Sequence, residues 1–197
     1  MDRKLFELLG VTDIKIGKKI GSGTQGSVFL LRQDSQRVFK MSYLRPLSTY
    51  KIKENLSERM VHYSLVMDSL SKNDYSCFPK IYKFGINKIN GPESAVVAWS
   101  SQEKLRPLDK KERIVFDYLS YFFANSTDIG VFESNLKDKF SKVHLPDGMI
   151  DRIMKCYESY LNSPIEHNDL HYLNFMKDSS NNYKIIDFDY SRFKEGF

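Results

Sequence analysis

The chain has 197 residues, 41% of them hydrophobic and 14% aromatic, with 30 Lys and Arg against 25 Asp and Glu for a formal net charge of +5. That is enough apolar material for one ordinary or two-lobed domain, while basic residues that run no longer than pairs such as Lys18-Lys19 and Lys110-Lys111 argue against a nucleic-acid platform. Cys77 and Cys156 lack a Cys-x-x-Cys spacing, which excludes a disulfide framework and points to a reducing compartment. No apolar run approaches the ~20 residues of a membrane span, nor does the N-terminus carry the apolar stretch of a cleaved secretory signal, so the expectation is a soluble monomer with no membrane partner.

In chain order, IKIGKKI, SVFLLR and RVFKMSYL within residues 14–44 read as strands, separated by the turn-type clusters SGTQG and QDSQ. Residues 49–71 place Ile52, Leu56, Met60, Tyr63, Met67 and Leu70 at helical spacing. Pro79, Gly85 and Gly91 interrupt the next stretch, with a short strand at KIYKFGI, and SAVVAWS (94–100) reads as another strand. After a connector near 100–108 the pattern turns helical in DKKERIVFDYLSYFFANS and in LPDGMIDRIMKCYESYLNS, the second with Pro146 and Asp147 at its start. Two strand-like pieces, SPIEH and YKIIDF, follow. The expected class is α+β: an antiparallel sheet with one helix over about residues 1–99, then a reduced helical part over 100–197.

IGSGTQGSV puts Gly21, Gly23, Gly26 and Val28 in a Gly-x-Gly-x-x-Gly-x-Val pattern, with Ser22 between the first two glycines. Glycines let backbone amides approach phosphate oxygens. A dinucleotide-binding turn would lead into a helix, but here Phe29, Leu30 and Leu31 continue as a strand, as in a hairpin that lies over nucleotide phosphates. Lys40 follows Val38 and Phe39, and a lysine in so apolar a strand calls for an anion. Glu58 on the following helix is the expected carboxylate partner for it and Glu54 the alternative; both also read as solvated surface charges.

Near the end stands His167-Asn168-Asp169-Leu170-His171-Tyr172-Leu173-Asn174, and thirteen residues after Asn174 comes Asp187 in KIIDFDYS. Asp169 is placed to accept a proton from an attacking hydroxyl, and Asn174 and Asp187 offer hard oxygen ligands that suit Mg²⁺. A zinc site through His167 and His171 is disfavoured, because no helical H-E-x-x-H pattern and no nearby cysteine accompanies them. His167 reads as a prop for the loop.

Glycine loop, strand lysine, helix glutamate, H-x-D-x-x-x-x-N and D-F-x occur in one order, and over about residues 14–193 the chain resembles the protein kinase-like fold. The resemblance implies ATP and Mg²⁺ as cofactors, Lys40 on the α- and β-phosphates, and adenine received by backbone groups at Val97 to Ser100, with Val97 and Trp99 in the binding set. Asn168 replaces the arginine of H-R-D enzymes, so control by activation-loop phosphorylation is not expected. His171 replaces the usual lysine, as in aminoglycoside and choline phosphotransferases, and keeps a small-molecule acceptor open. Asp189 stands in the glycine position of D-F-G. Ten residues follow Asp187, which leaves no room for an activation segment. Size, glycine loop and H-N-D-L-H resemble the HopBF family of bacterial type III effector kinases. That would imply delivery into a host cytoplasm and phosphorylation of the host ninety-kilodalton heat-shock chaperone on a serine, inactivating it. A nucleotide-binding pseudokinase is the further alternative.

Overall fold

The computed structural model describes residues 7, 9–23, 26–48, 53–89, 95–125, 128–141 and 145–194. The chain divides into two compact units, Met1–Asn73 with Lys80–Lys104, and Asp74–Pro79 with Leu105–Phe197. The division thus falls after Lys104 and not at the expected 99/100, because the strand read as ending at Ser100 runs on to Glu103, still paired with Arg37.

In the first unit, β1 (Ile16–Ser22), β2 (Gly26–Leu31), β3 (Arg37–Leu44), β6 (Ile81–Ile89) and β7 (Ala95–Glu103) form an antiparallel sheet in the order β1-β2-β3-β7-β6. Opposed residues share a face of such a sheet. Phe29, Phe39, Met41 and Val97 lie on one face and join Leu9, Val11 and Leu31 in a buried core. Trp99 completes this face, stacking on Phe39 at 5.7 Å and donating from Nε1 to Asn87 Oδ1 at 3.1 Å. Its ring lies on Gly85, where an added Cβ would come within 2.7 Å of it.

Between β3 and β6 the short strands β4 (Leu47–Ser48) and β5 (Lys53–Glu54) pair, and α1 (Leu56–Lys72) follows. The helix expected from residue 49 therefore starts at Leu56, and 49–52 lie outside the described residues. Asn55 sets the start: its side chain accepts from the Ser57 and Glu58 amides at 2.9 and 3.0 Å, and Glu58 Oε2 accepts from the Asn55 amide at 2.8 Å. This reciprocal cap satisfies amides that the first turn leaves unpaired. Tyr63, Val66, Met67 and Leu70 are buried along the helix, which packs on β6 and β3.

The second unit holds α2 (Lys110–Asn125), α3 (Ile129–Phe140) and α4 (Met149–Leu161). The middle helix was not expected; Gly130 in its first turn and the exposed Ile129 and Val131 obscure the spacing of its buried Phe132, Leu136 and Phe140. Phe116, Phe123, Phe132, Tyr157 and Phe175 form an edge-to-face and stacked aromatic core. Beside it β8 (Arg106–Pro107), β10 (Phe175–Lys177) and β11 (Tyr183–Ile185) make one small sheet, and β9 (Ile165–His167) pairs with β12 (Ser191–Phe193). No helix among the described residues is long and apolar enough to cross a membrane.

Candidate functional site

In the first unit the glycine pattern forms the β1–β2 hairpin, closed by a Gly23 amide bond to Gly26 O at 3.0 Å; Thr24 and Gln25 lie outside the described residues. Its glycines are not equivalent. A Cβ on Gly26 would meet Met41 O at 2.3 Å, whereas one on Gly21 would make only ordinary contacts with Val28 and one on Gly23 would meet nothing within 4 Å. Packing against β3 therefore requires Gly26, while among the described residues nothing stands where a side chain at 23 would go. Ser22 is exposed and Val28 partly buried. Lys40 stands directly across from Val28 on one side and Ser100 on the other, so the hairpin and the lysine share a sheet face.

The two candidate carboxylates stand at the entry to α1. Glu58 has Oε2 in the helix cap, leaving Oε1 as its second acceptor. Glu54 is almost buried and accepts from Arg59 Nη1 at 3.3 Å and His62 Nδ1 at 3.1 Å.

Val97 and Trp99 do not have the expected place. Both belong to the core face opposite Lys40, and the strand that carries them is flanked by β3 and β6 throughout Val96–Gln102. Main-chain groups there face partner strands, not a ligand edge. The ladder ends at Glu103 and Lys104, whose amides donate to Lys80 O at 2.9 Å and Gln36 O at 2.8 Å. The adenine-receiving assignment at 97–100 is therefore corrected to a paired interior strand.

In the second unit, backbone bonds hold the remaining candidates in one constellation. His167 Nδ1 accepts from the Asp169 amide at 3.3 Å and Nε2 lies 2.8 Å from Ile186 O. A main-chain amide can only donate and a carbonyl only accept, so the imidazole is the neutral Nε2–H tautomer. Its own amide donates to Tyr160 Oη at 3.2 Å. Asn174 Nδ2 donates to Asp169 O at 2.7 Å and lies 3.3 Å from His171 Nε2, which orients the amide so that Oδ1 remains as acceptor. Asn174 O in turn accepts from the Ile186 amide at 2.8 Å, and Ile186 directly precedes Asp187.

Asp187 takes a left-handed conformation, φ 69° and ψ 67°, which costs a non-glycine residue about 1–3 kcal/mol. Phe188 after it is buried, 5.5 Å from the Phe78 ring and 6.1 Å from the His167 ring. The Asp169 side chain keeps 47% of its surface exposed, with Oδ2 3.7 Å from His171 Nε2. The carboxylate expected to accept a proton is thus left open to solvent while its loop is fastened from both sides.

The described residues contain no cluster of three or more His, Cys, Asp or Glu side chains that could hold a metal. The hard oxygen donors available here are the Asn174 amide oxygen and the Asp187 carboxylate, carried by segments joined through the bond from the Ile186 amide to Asn174 O. Such a pair fits Mg²⁺, which keeps waters and takes substrate phosphate oxygens in place of an all-protein cage.

Sequence reasoning missed two supports of this loop. Tyr160 holds His167 from α4, and burial pushes its phenol up to about 12. Lys194 donates to Tyr160 O, Leu161 O and Ser163 O at 3.0, 2.8 and 2.6 Å, closing the end of the same helix; burial lowers its ammonium below the usual lysine value. Neither residue carries a motif. No protein-family model matches the chain, and no curated protein matches it either.

Proposed function

We propose that this chain is an ATP- and Mg²⁺-dependent protein serine/threonine kinase of minimal kinase-like fold. The observation that carries the reading is the fastening of His167, Asp169, Asn174 and Ile186 into one loop, with Asp169 open and Asn174 Oδ1 unspent. The sheet order β1-β2-β3-β7-β6 with a helix inserted between β3 and β6 supports it, as does the glycine at 23, where no described residue stands in the way of a side chain.

On this reading the glycine hairpin covers the phosphates with backbone amides, and Lys40 neutralises the α- and β-phosphate oxygens, steadied by Glu58. Asn174 and Asp187 hold Mg²⁺, which when bound offsets charge on the triphosphate. Asp169 orients the acceptor hydroxyl and takes its proton. The hydroxyl oxygen bonds to the γ-phosphorus, the bond from that phosphorus to the bridging oxygen breaks, and ADP leaves with the electron pair. Positioning and charge stabilisation supply most of the acceleration in such transfers. The resemblance to the HopBF family adds host delivery and the ninety-kilodalton chaperone as acceptor, and these belong to the proposal alone.

Asp169→Ala is expected to lower transfer to a protein acceptor by about 10²–10⁴-fold while calorimetry still finds ATP–Mg²⁺ binding. Labelled ATP in eukaryotic lysate and in a small-molecule acceptor panel separates the readings. Label on protein supports the kinase, and label only on a small molecule would favour a phosphotransferase with His171 in the lysine position. Binding without any transfer would leave a pseudokinase.

A further inference from the structure

We infer that a groove between the first two turns of α2 and the 172–174 turn docks an extended segment of the acceptor protein, one with an apolar side chain preceded by acidic residues. The inference rests on the phosphotransfer reading above. The groove has a volume of about 510 Å³ and is lined by Leu108, Lys110, Arg113, Ile114, Asp117 and Tyr172, with Asp109 at one end. All belong to the second unit.

Residues 110, 113, 114 and 117 follow the spacing of a single helix face. The opposite face of α2 supplies the buried Glu112, Val115, Phe116 and Leu119, so the groove face is not spent on folding. At its middle Ile114 is 62% exposed, and Leu173, next to the lining Tyr172, is 59% exposed. A large apolar side chain left in water inside a lined groove, as Ile114 is, marks a contact surface better than scattered surface residues do.

The charges give the occupant its polarity. Asp109 accepts from the Glu112 amide at 3.0 Å and lies 3.9 Å from Lys177, which also binds Glu112 at 2.6 Å. These acids are satisfied within the fold. Lys110 has no ion pair among the described residues, and Arg113 has only its Nε bond to Leu108 O at 3.0 Å. Asp117 likewise has no ion pair among them. The groove therefore presents two cations at the start of the helix, an apolar centre and one carboxylate a turn further on.

From 110 to 117 the helix advances about 10 Å, roughly the span of three residues of extended chain. An acidic residue meets Lys110 and Arg113, and the apolar side chain after it enters between Leu108, Ile114 and Tyr172. Tyr172 and Asp169 belong to the same 167–174 loop, and on this proposal the segment that fills the groove brings its hydroxyl to that carboxylate. A small molecule would be poorly enclosed by side chains as exposed as Ile114.

The test uses the full chain and fluorescein-labelled peptides read by anisotropy. The probe is Asp-Glu-Leu-Gly-Ser-Lys, beside one control with Lys-Lys for Asp-Glu and one with Ser for Leu. The probe is expected to bind at least tenfold more tightly than either control. Ile114→Asp and the double variant Lys110→Glu/Arg113→Glu are expected to lose at least tenfold for the probe with unchanged Tm. The double variant should gain affinity for the Lys-Lys control. Equal binding by wild type and variants, or no binding of the probe at millimolar concentration, would overturn the groove. ATP turnover is followed on the same samples. Probe binding by a wild type that transfers no phosphate keeps the groove and removes the kinase, and transfer with no groove dependence does the reverse.

Discussion

At single residues, the three motif glycines separate into structural and available positions. Gly26→Ala forces a Cβ against the Met41 carbonyl, a strain of about 1–3 kcal/mol by analogy with overpacking. Its Tm should fall by roughly 2–4 °C for each kcal/mol. Gly23→Ala meets no atom, so its Tm should stay unchanged while the KM for ATP rises; a normal KM would remove the phosphate-covering role. The cysteines give a second check. Burial pushes the Cys77 thiol up to about 12 from its ordinary 9.0 and Cys156 well above the same value. Both are neutral near pH 8, so Ellman's reagent should label neither in the folded protein and both in guanidinium. A raised acid pKa favours the folded state below the unfolded value. The Cys77 contribution is thus complete below pH 9 and is lost between there and about 12, which alkaline melts should register as a falling Tm.

Among the elements, the start of α1 combines stability with proposed chemistry. Asn55→Ala removes the cap and should cost about 1 kcal/mol. Glu58→Gln keeps an oxygen that can accept from the Asn55 amide but removes the charge. On the proposed pairing with Lys40, it should hold its Tm within about 1 °C and lose about tenfold or more in kcat/KM, the scale of a charge-assisted hydrogen bond of about 1.5–3 kcal/mol. Full activity in that variant would confine Glu58 to the cap and leave Glu54, with Arg59 and His62 on it, as the carboxylate to examine.

For the molecule as a whole, the proposed enzyme needs no activating modification. The residue before Asp169 is a neutral amide, and Asn168 already donates to Tyr190 O at 3.1 Å, so it supplies no charge with which to read a phosphate. Protein expressed in bacteria should be active as purified, and phosphatase treatment should leave its rate unchanged; silencing by phosphatase would show a switch elsewhere. The chain also passes twice into the second unit, at 74–79 and again after Lys104. The earlier visit is fastened by the bond from the Ile185 amide to Cys77 O at 2.7 Å and by Phe78 against Phe188. The segment two residues before Asp187 is therefore held by residues a hundred positions upstream.

Local chemistry was enough to read β2, β3, the existence of α1 and the loop from His167 to Asn174, since alternation, helical spacing and polar clusters are written in neighbouring residues. Long-range pairing was not. Nothing near Val97 announces that β6 comes to lie beside it after crossing from another unit, and that pairing is what withdraws its backbone from a ligand. Nor does the sequence near His167 reveal Tyr160 or the Ile186 carbonyl, because both reach it only through packing of α4 and β11. The residue types that the proposed chemistry needs were thus set by sequence alone, whereas the orientation and accessibility of these side chains arose when distant segments competed for the same donors and acceptors.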